Sequence, residues 1–298
     1  MVNTLQDKIR LAAFHWLTKQ TFFHGDVLPR ELLAQGFEFE GRRVPFLGPQ
    51  GIFKPQILEL PLSITTSPNS PYSDKPDKDG NWIYKYRGVD LNHRDNVGLR
   101  EAMKRKVPLI YFIGIRPGRY MIIYPVFIVE DYPGELAFKV VADNEVTFSD
   151  ADQKNSAKDD IRRRYITANV RVRLHQREFR EQVVFAYQEQ CACCRLRHLE
   201  LLDAAHITPD PDPDGKPIVS NGISLCKLHH AAFDSNILGI RPDYVIEINH
   251  DVLEEEDGPV LKHGLQGLHE NQLILPLSRD LYPDKRRLEA RYVEFRNN

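Results

Sequence analysis

Cys191-Ala-Cys-Cys194, Asp203-Ala-Ala-His206-Ile207 and Asn221-Gly-Ile-Ser-Leu-Cys226-Lys-Leu-His229-His230-Ala-Ala-Phe-Asp234 follow one another within 44 residues of a 298-residue chain. All four cysteines of the chain lie there. In a chain with no secretory signal, such a cluster beside histidines reads as metal binding rather than a disulfide framework. Cys191/Cys194 and Cys226/His229 are pairs separated by two residues, a spacing that lets one tight turn or helix start present two donors to one ion. Two such pairs complete a tetrahedral Zn²⁺ site with sulfur and imidazole ligands. Cys193 could replace a neighbour, although the register favours Cys191 and Cys194.

The remaining histidines call for different chemistry. His206 closes an apolar stretch with the character of a strand, and a turn-rich loop from Pro209 to Pro217 leads to Asn221. A helix is predicted to begin near Ile223 and to carry Cys226, His229, His230 and Asp234. His230 and Asp234, four apart, would then share one helix face and could share a hard divalent cation such as Mg²⁺ or Mn²⁺.

Together these motifs resemble the HNH nucleases of the ββα-metal superfamily. The Gln176-Arg-Glu-Phe-Arg180 segment running into the first cysteine is similar to a restriction-endonuclease subgroup of that family. The resemblance implies that His206 is the general base, that Asn221 steadies the loop, and that His230 and Asp234 hold the catalytic ion. It also implies that Cys191, Cys194, Cys226 and His229 hold a structural zinc ion. Many members carry Asp or His immediately before the base as a further ligand, where this chain has Ala205. The ion then has two protein ligands plus phosphate and water, or Asp203 reaches it from the same strand.

Working outward, residues 161–180 contain Arg162, Arg163, Arg164, Arg171, Arg173, Arg177 and Arg180 against the single acid Glu178, an excess suited to phosphate contact. The alternative is a solvated basic face. Residues 100–119 form a second basic zone, in which Arg116 and Arg119 flank a Pro-Gly turn and are the better DNA candidates. The expected order is a helix at 5–19, short strands and turns, a loop at 67–80, a strand at 82–86, a helix at 96–106, and strands at 109–113, 120–129 and 136–141. A polar linker at 151–160 separates an N-terminal domain, 1–150, from a nuclease domain, 161–298. Beyond it are expected a strand to Arg173, a helix at 176–190, a strand at 244–248, an acidic loop at 251–257 and a final helix at 283–296.

The fold class is therefore α+β: a mixed, strand-rich targeting domain followed by a zinc-supported ββα-metal domain. In related architectures the first domain is a reader of modified bases with a PUA-like or SRA-like fold. Trp82, Tyr84 and Tyr86 alternate on one strand and would suit a pocket for an extruded base, or equally a core.

Forty basic against forty-two acidic side chains exclude a highly basic packaging protein. The opening residues carry charges throughout, with no apolar core before a small-residue cleavage site, and no stretch has the apolar length of a membrane span. The expectation is a cytoplasmic, metal-dependent endonuclease acting on double-stranded DNA, in restriction and perhaps directed by base modification. Double-strand cutting from one site per chain suggests a homodimer. Rival readings are a nicking or repair nuclease of the same family and a zinc-stabilised DNA-binding regulator without catalysis.

Overall fold

The computed structural model describes residues 4–68, 82–143, 157–256 and 258–297. Most of the expected loop at 67–80, and residues 151–156 of the expected linker, lie outside the described residues. The chain divides into two compact units, Met1–Leu174 and His175–Asn298.

The first unit is laid down by α1 (Leu5–His24), β1 (Val27–Pro29), α2 (Arg30–Gln35), the hairpin β2 (Phe37–Phe39) and β3 (Arg42–Val44), β4 (Ile52–Phe53), β5 (Ser63–Thr66), β6 (Trp82–Lys85), α3 (Arg94–Lys104), β7 (Leu109–Arg116), β8 (Arg119–Tyr132) and β9 (Ala137–Ala142). Seven strands make one mixed sheet in the order β4-β5-β7-β8-β9-β6, with β1 added on β8. β7 explains the layering. Its sequence LIYFIGIR is apolar almost throughout and buried to its last residue, as a strand covered on both faces must be. Leu109, Tyr111, Ile113 and Ile115 enter one core with Leu99 and Ala102 of α3. Ile110 and Phe112 enter the other, with Ile9, Ala13, Phe14 and Leu17 of α1. Arg10 is buried among them and donates to the carbonyls of Pro108, Leu60 and Pro61 at 2.8–3.2 Å; burial draws its pKa down to about 10.

The basic zone at 100–106 is largely compensated inside this unit. Arg100 pairs with Asp131 at 2.7 Å, Arg105 with Glu101 at 2.8 Å, and Lys104 with Glu101 at 3.6 Å. Arg116 and Arg119 face each other across the β7–β8 turn, where Gly118 takes a positive φ of 77°.

The second unit follows from α4 (Ala157–Ala186), whose last turns it contains, and from β10 (Leu202–His206), β11 (Gly222–Cys226), α5 (Lys227–Asp234), the hairpin β12 (Leu238–Ile240) and β13 (Ile246–Ile248), α6 (His250–Glu254), α7 (Pro259–Gly264) and α8 (Lys285–Arg296). β10 and β11 pair antiparallel, Leu202 opposite Cys226 and His206 opposite Gly222, and α5 follows directly: a ββα unit. Its core gathers Phe179, Val183, Tyr187, Ile223, Leu225, Phe233 and Ile246.

Several sequence expectations are corrected. Residues 161–173 are helical, not a strand: the alternation Val170-Arg-Val-Arg173 has period two, but the buried positions are Ile166, Val170 and Leu174, four apart. Residues 157–160 are the start of α4, and the division of the chain falls inside that helix. Residues 222–226 form a strand, and the helix expected from Ile223 starts at Lys227. The acidic stretch expected as a loop begins with α6, capped by the Asn249 side chain on the Asp251 N–H at 3.1 Å.

Candidate active site and metal centre

The ββα unit positions two clusters. At the far end of β11, Cys226 meets Cys191 and Cys194, from the turn that follows α4, and His229 from the first turn of α5. One donor atom from each lies within 4.8 Å of the others. His229 Nδ1 sits 3.3 Å from Cys191 Sγ and 3.2 Å from Cys226 Sγ. Its Nε2 donates to the Gly264 carbonyl at 2.7 Å, which fixes the ring with Nδ1 toward the sulfurs, the usual outer support of a metal-binding imidazole. Hydrogen bonds from Cys193, Cys194 and Cys226 hold the Cys191 thiol far below its ordinary value, whereas Cys194 is pushed far up by Cys191 and Cys226. Such opposed shifts arise when soft donors crowd together, and a divalent cation relieves them. The four residues fit zinc in number, chemistry and closeness. Cys193 stands beside the set, outside it.

The second cluster starts at Asp203, next to Leu202, the residue paired with Cys226. His230 Nδ1 is 3.6 Å from Asp203 Oδ2, and His230 Nε2 is 3.3 Å from Asp234 Oδ2. The imidazole is thus flanked by a carboxylate from the strand and one from its own helix. The hydrogen bond that His230 donates to Asp203 raises its pKa against the effect of burial, with the charges of Asp234 and Asp203 adding to it. Burial opposes ionisation of Asp203, but His230, the Ala204 N–H and the charge of Arg180 outweigh it and hold the carboxyl below its ordinary value. Asp203 thus lies on the Nδ1 edge of the His230 ring and Asp234 on its Nε2 edge. Ala205 is fully buried.

His206, opposite Gly222, is depressed below the ordinary imidazole value, chiefly by burial; Asp210 and Asp234 pull upward, His230 and His175 downward. A neutral imidazole beside a potential cation site is what a general base requires. Asn221 is fully buried. Its Oδ1 accepts from the Thr208 N–H at 2.8 Å, and its Nδ2 donates to the Thr208 and Lys216 carbonyls at 3.0 Å each. It thus closes the loop between the strands at its base, while Asp210, Asp212 and Asp214 are exposed at the tip.

The basic segment is only partly a surface. Arg180 directs its guanidinium inward, to the carbonyls of Leu199 at 2.6 Å and Leu202 at 2.9 Å and to Glu181 at 2.9 Å. These contacts tie α4 to the start of β10. Arg173 is exposed and Arg177 half-buried, while the side chains of Arg162, Arg163, Arg164 and Arg171 lie outside the described residues. Spacing gave no sign of the contacts that Phe179 and Arg180 make with β10.

The first unit contributes a cavity of about 400 Å³ lined by Gln50, Gly51, Thr65, Thr66, Tyr84, Tyr86 and Arg87. Trp82, Tyr84 and Tyr86 all pack into the core, and the last two also border this cavity.

The site is built on a ββα unit, and residues 191–241 match the family model of the HNH endonuclease. A solved structure, the modification-dependent TagI restriction endonuclease, is similar at 16% identity, over 79% of this chain and 81% of that one, with a TM-score of 0.29. No curated protein matches. Among the described residues no helix is long and apolar enough to cross a membrane.

Proposed function

We infer that this protein is a metal-dependent endonuclease that hydrolyses phosphodiester bonds of double-stranded DNA. The observation that carries this reading is the placing of a proton-poor His206 on the same strand as Asp203, which meets His230 of α5, itself beside Asp234. His206 accepts the proton of a water molecule as that water attacks phosphorus. Asp203, His230 and Asp234 would hold a divalent ion, Mg²⁺ or Mn²⁺. Bound there, such an ion supplies charge stabilisation to the phosphate and to the leaving 3′-oxygen. Asn221 keeps the loop that follows His206 closed, so that the base stays at the strand end. Zinc on Cys191, Cys194, Cys226 and His229 locks β11 and α5 to the turn after α4 and stabilises the unit without entering the reaction. Arg173 and Arg177 remain the described candidates for phosphate contact from α4, and Arg116 and Arg119 from the first unit.

The finer reading is a cytoplasmic restriction enzyme whose first unit reads a modified base. The amide, guanidinium and phenol groups lining the 400 Å³ cavity could satisfy the edge and face of an extruded base. Against the catalysis-free regulator stands the Asp203 carboxylate, 3.6 Å from His230, on the strand where Ala205 offers no donor.

One experiment tests both levels: cleavage of matched unmodified, 5-methylcytosine and 5-hydroxymethylcytosine duplexes by wild type and His206→Ala with Mg²⁺ or Mn²⁺. Cutting of a modified duplex only, lost in His206→Ala, is expected. Equal cutting of all three that still depends on His206 would keep the nuclease and discard the base reader. DNA binding without cutting under any condition would turn the assignment to the regulator.

A further inference from the structure

A general base needs its ring held in one orientation, and a histidine base is ordinarily held by a hydrogen bond to its second nitrogen. His206 departs from this. Its Nε2 is buried and has no protein hydrogen-bond partner among the described residues. What does touch the ring is Phe179, on α4. The two rings stack with centroids 4.0 Å apart and planes inclined by 20°, and the phenyl group is itself 97% removed from solvent.

Space for this stack is provided on the neighbouring strand. Gly222 is the residue paired with His206. A methyl group added there would lie 2.5 Å from Val183 Cγ2 and 2.7 Å from Phe179 Cζ, far inside contact distance. Any side chain at position 222 would therefore displace the phenyl ring. The glycine that follows Asn221 thus has a physical reason, and it belongs to the same device as the base.

We propose that Phe179 is a positioning residue for His206: its stacked ring, seated over Gly222, does the orienting that a hydrogen bond does for other histidine bases. This rests on the nuclease reading given above and deepens it. The residue touches neither water nor phosphate and acts only by fixing the imidazole. Its neighbour Arg180 reinforces the placement by fastening the start of β10 through the Leu199 and Leu202 carbonyls.

The test compares Phe179→Leu, which keeps apolar volume and removes the flat ring, with Val183→Ala, which removes packing over the same glycine and leaves the stacked ring in place. Single-turnover cleavage of a duplex that the wild type cuts is measured well below both unfolding temperatures. Phe179→Leu is expected to lose about 10- to 100-fold in kcat, the scale of a misplaced reacting group. KM for DNA and the Mn²⁺ concentration for half-maximal rate should stay unchanged. Val183→Ala should keep its kcat within about twofold while losing thermal stability. In NMR spectra, the His206 ring protons should be shifted upfield by the phenyl face and return downfield in Phe179→Leu. A Phe179→Leu enzyme no slower than Val183→Ala, or a His206 resonance that does not move, overturns the proposal. The NMR result does not depend on activity, so the two readings fail separately. If His206→Ala cuts like wild type, the general-base reading falls, and the positioning role falls with it whatever the stack shows.

Discussion

His206 and His230 are shifted in opposite directions, one depressed chiefly by burial and the other raised by Asp203. Environments that push two titratable groups apart suit them to different work, which is why the proposed function gives the depressed histidine the proton and the raised one the cation. A base works only when unprotonated, so rate is retained above its pKa and lost as pH falls through it. Since the His206 value lies below the ordinary 6.5, the acid limb of kcat/KM with Mn²⁺ should fall below that pH, and a bound cation would push it lower still. An acid limb at or above it would remove His206 from the role. Asp203→Asn should raise the Mn²⁺ concentration needed for half-maximal rate by about 10-fold or more while leaving zinc content, measured by atomic absorption, unchanged; unaltered Mn²⁺ dependence would exclude Asp203 as a ligand. At this scale the sequence was informative where spacing carries the chemistry: the four soft donors come together, and His230 lies beside Asp234. It was silent on Phe179 and on the inward turn of Arg180. Those roles depend on where α4 lands on a strand more than twenty residues further along, and no local spacing records that.

Elements were read well where a single period dominates, as in β7 and β8, and badly where two compete. Val170-Arg-Val-Arg173 alternates like a strand, yet Ile166, Val170 and Leu174 recur at helical spacing, and burial of that stripe decided the outcome. Around Ile223 the error ran the other way. The spacing of His230 and Asp234 is helical, but the apolar run before them pairs with β10, and the helix starts only after Cys226. The loop joining the two strands depends on one side chain. Asn221→Ala removes its three hydrogen bonds and leaves the Thr208 and Lys216 backbone groups without those partners. A loss on the order of 3 kcal/mol in urea unfolding is expected, and a loss below about 1 kcal/mol would show that the loop holds itself closed. Cys226→Ser should cost more, because it takes a ligand from the cluster that joins β11, α5 and the turn after α4. Zinc content should drop with a large fall in Tm; normal zinc and normal Tm would refute the ligand set.

The whole molecule is two units with separate cores, and only the second holds the soft-donor cluster. Composition gave no hint of that division, and the polar stretch read as a linker lies upstream of it; the chain divides within a helix whose first half the sequence disguised as a strand. Since structural zinc contributes folding free energy directly, chelation should lower one calorimetric transition, that of residues 175–298, and leave the other in place. A single transition insensitive to chelator would contradict both the zinc assignment and the separate cores. The Asn221 closure has a use in engineering. Its hydrogen bonds hold the base of the 208–217 loop, so a foreign peptide spliced between the exposed Asp210 and Asp214 would lengthen only the tip, at about 0.6 kcal/mol per doubling of length. The chain thus offers a grafting socket a few residues from His206, where an added reporter or sequence reader could be carried without touching either strand.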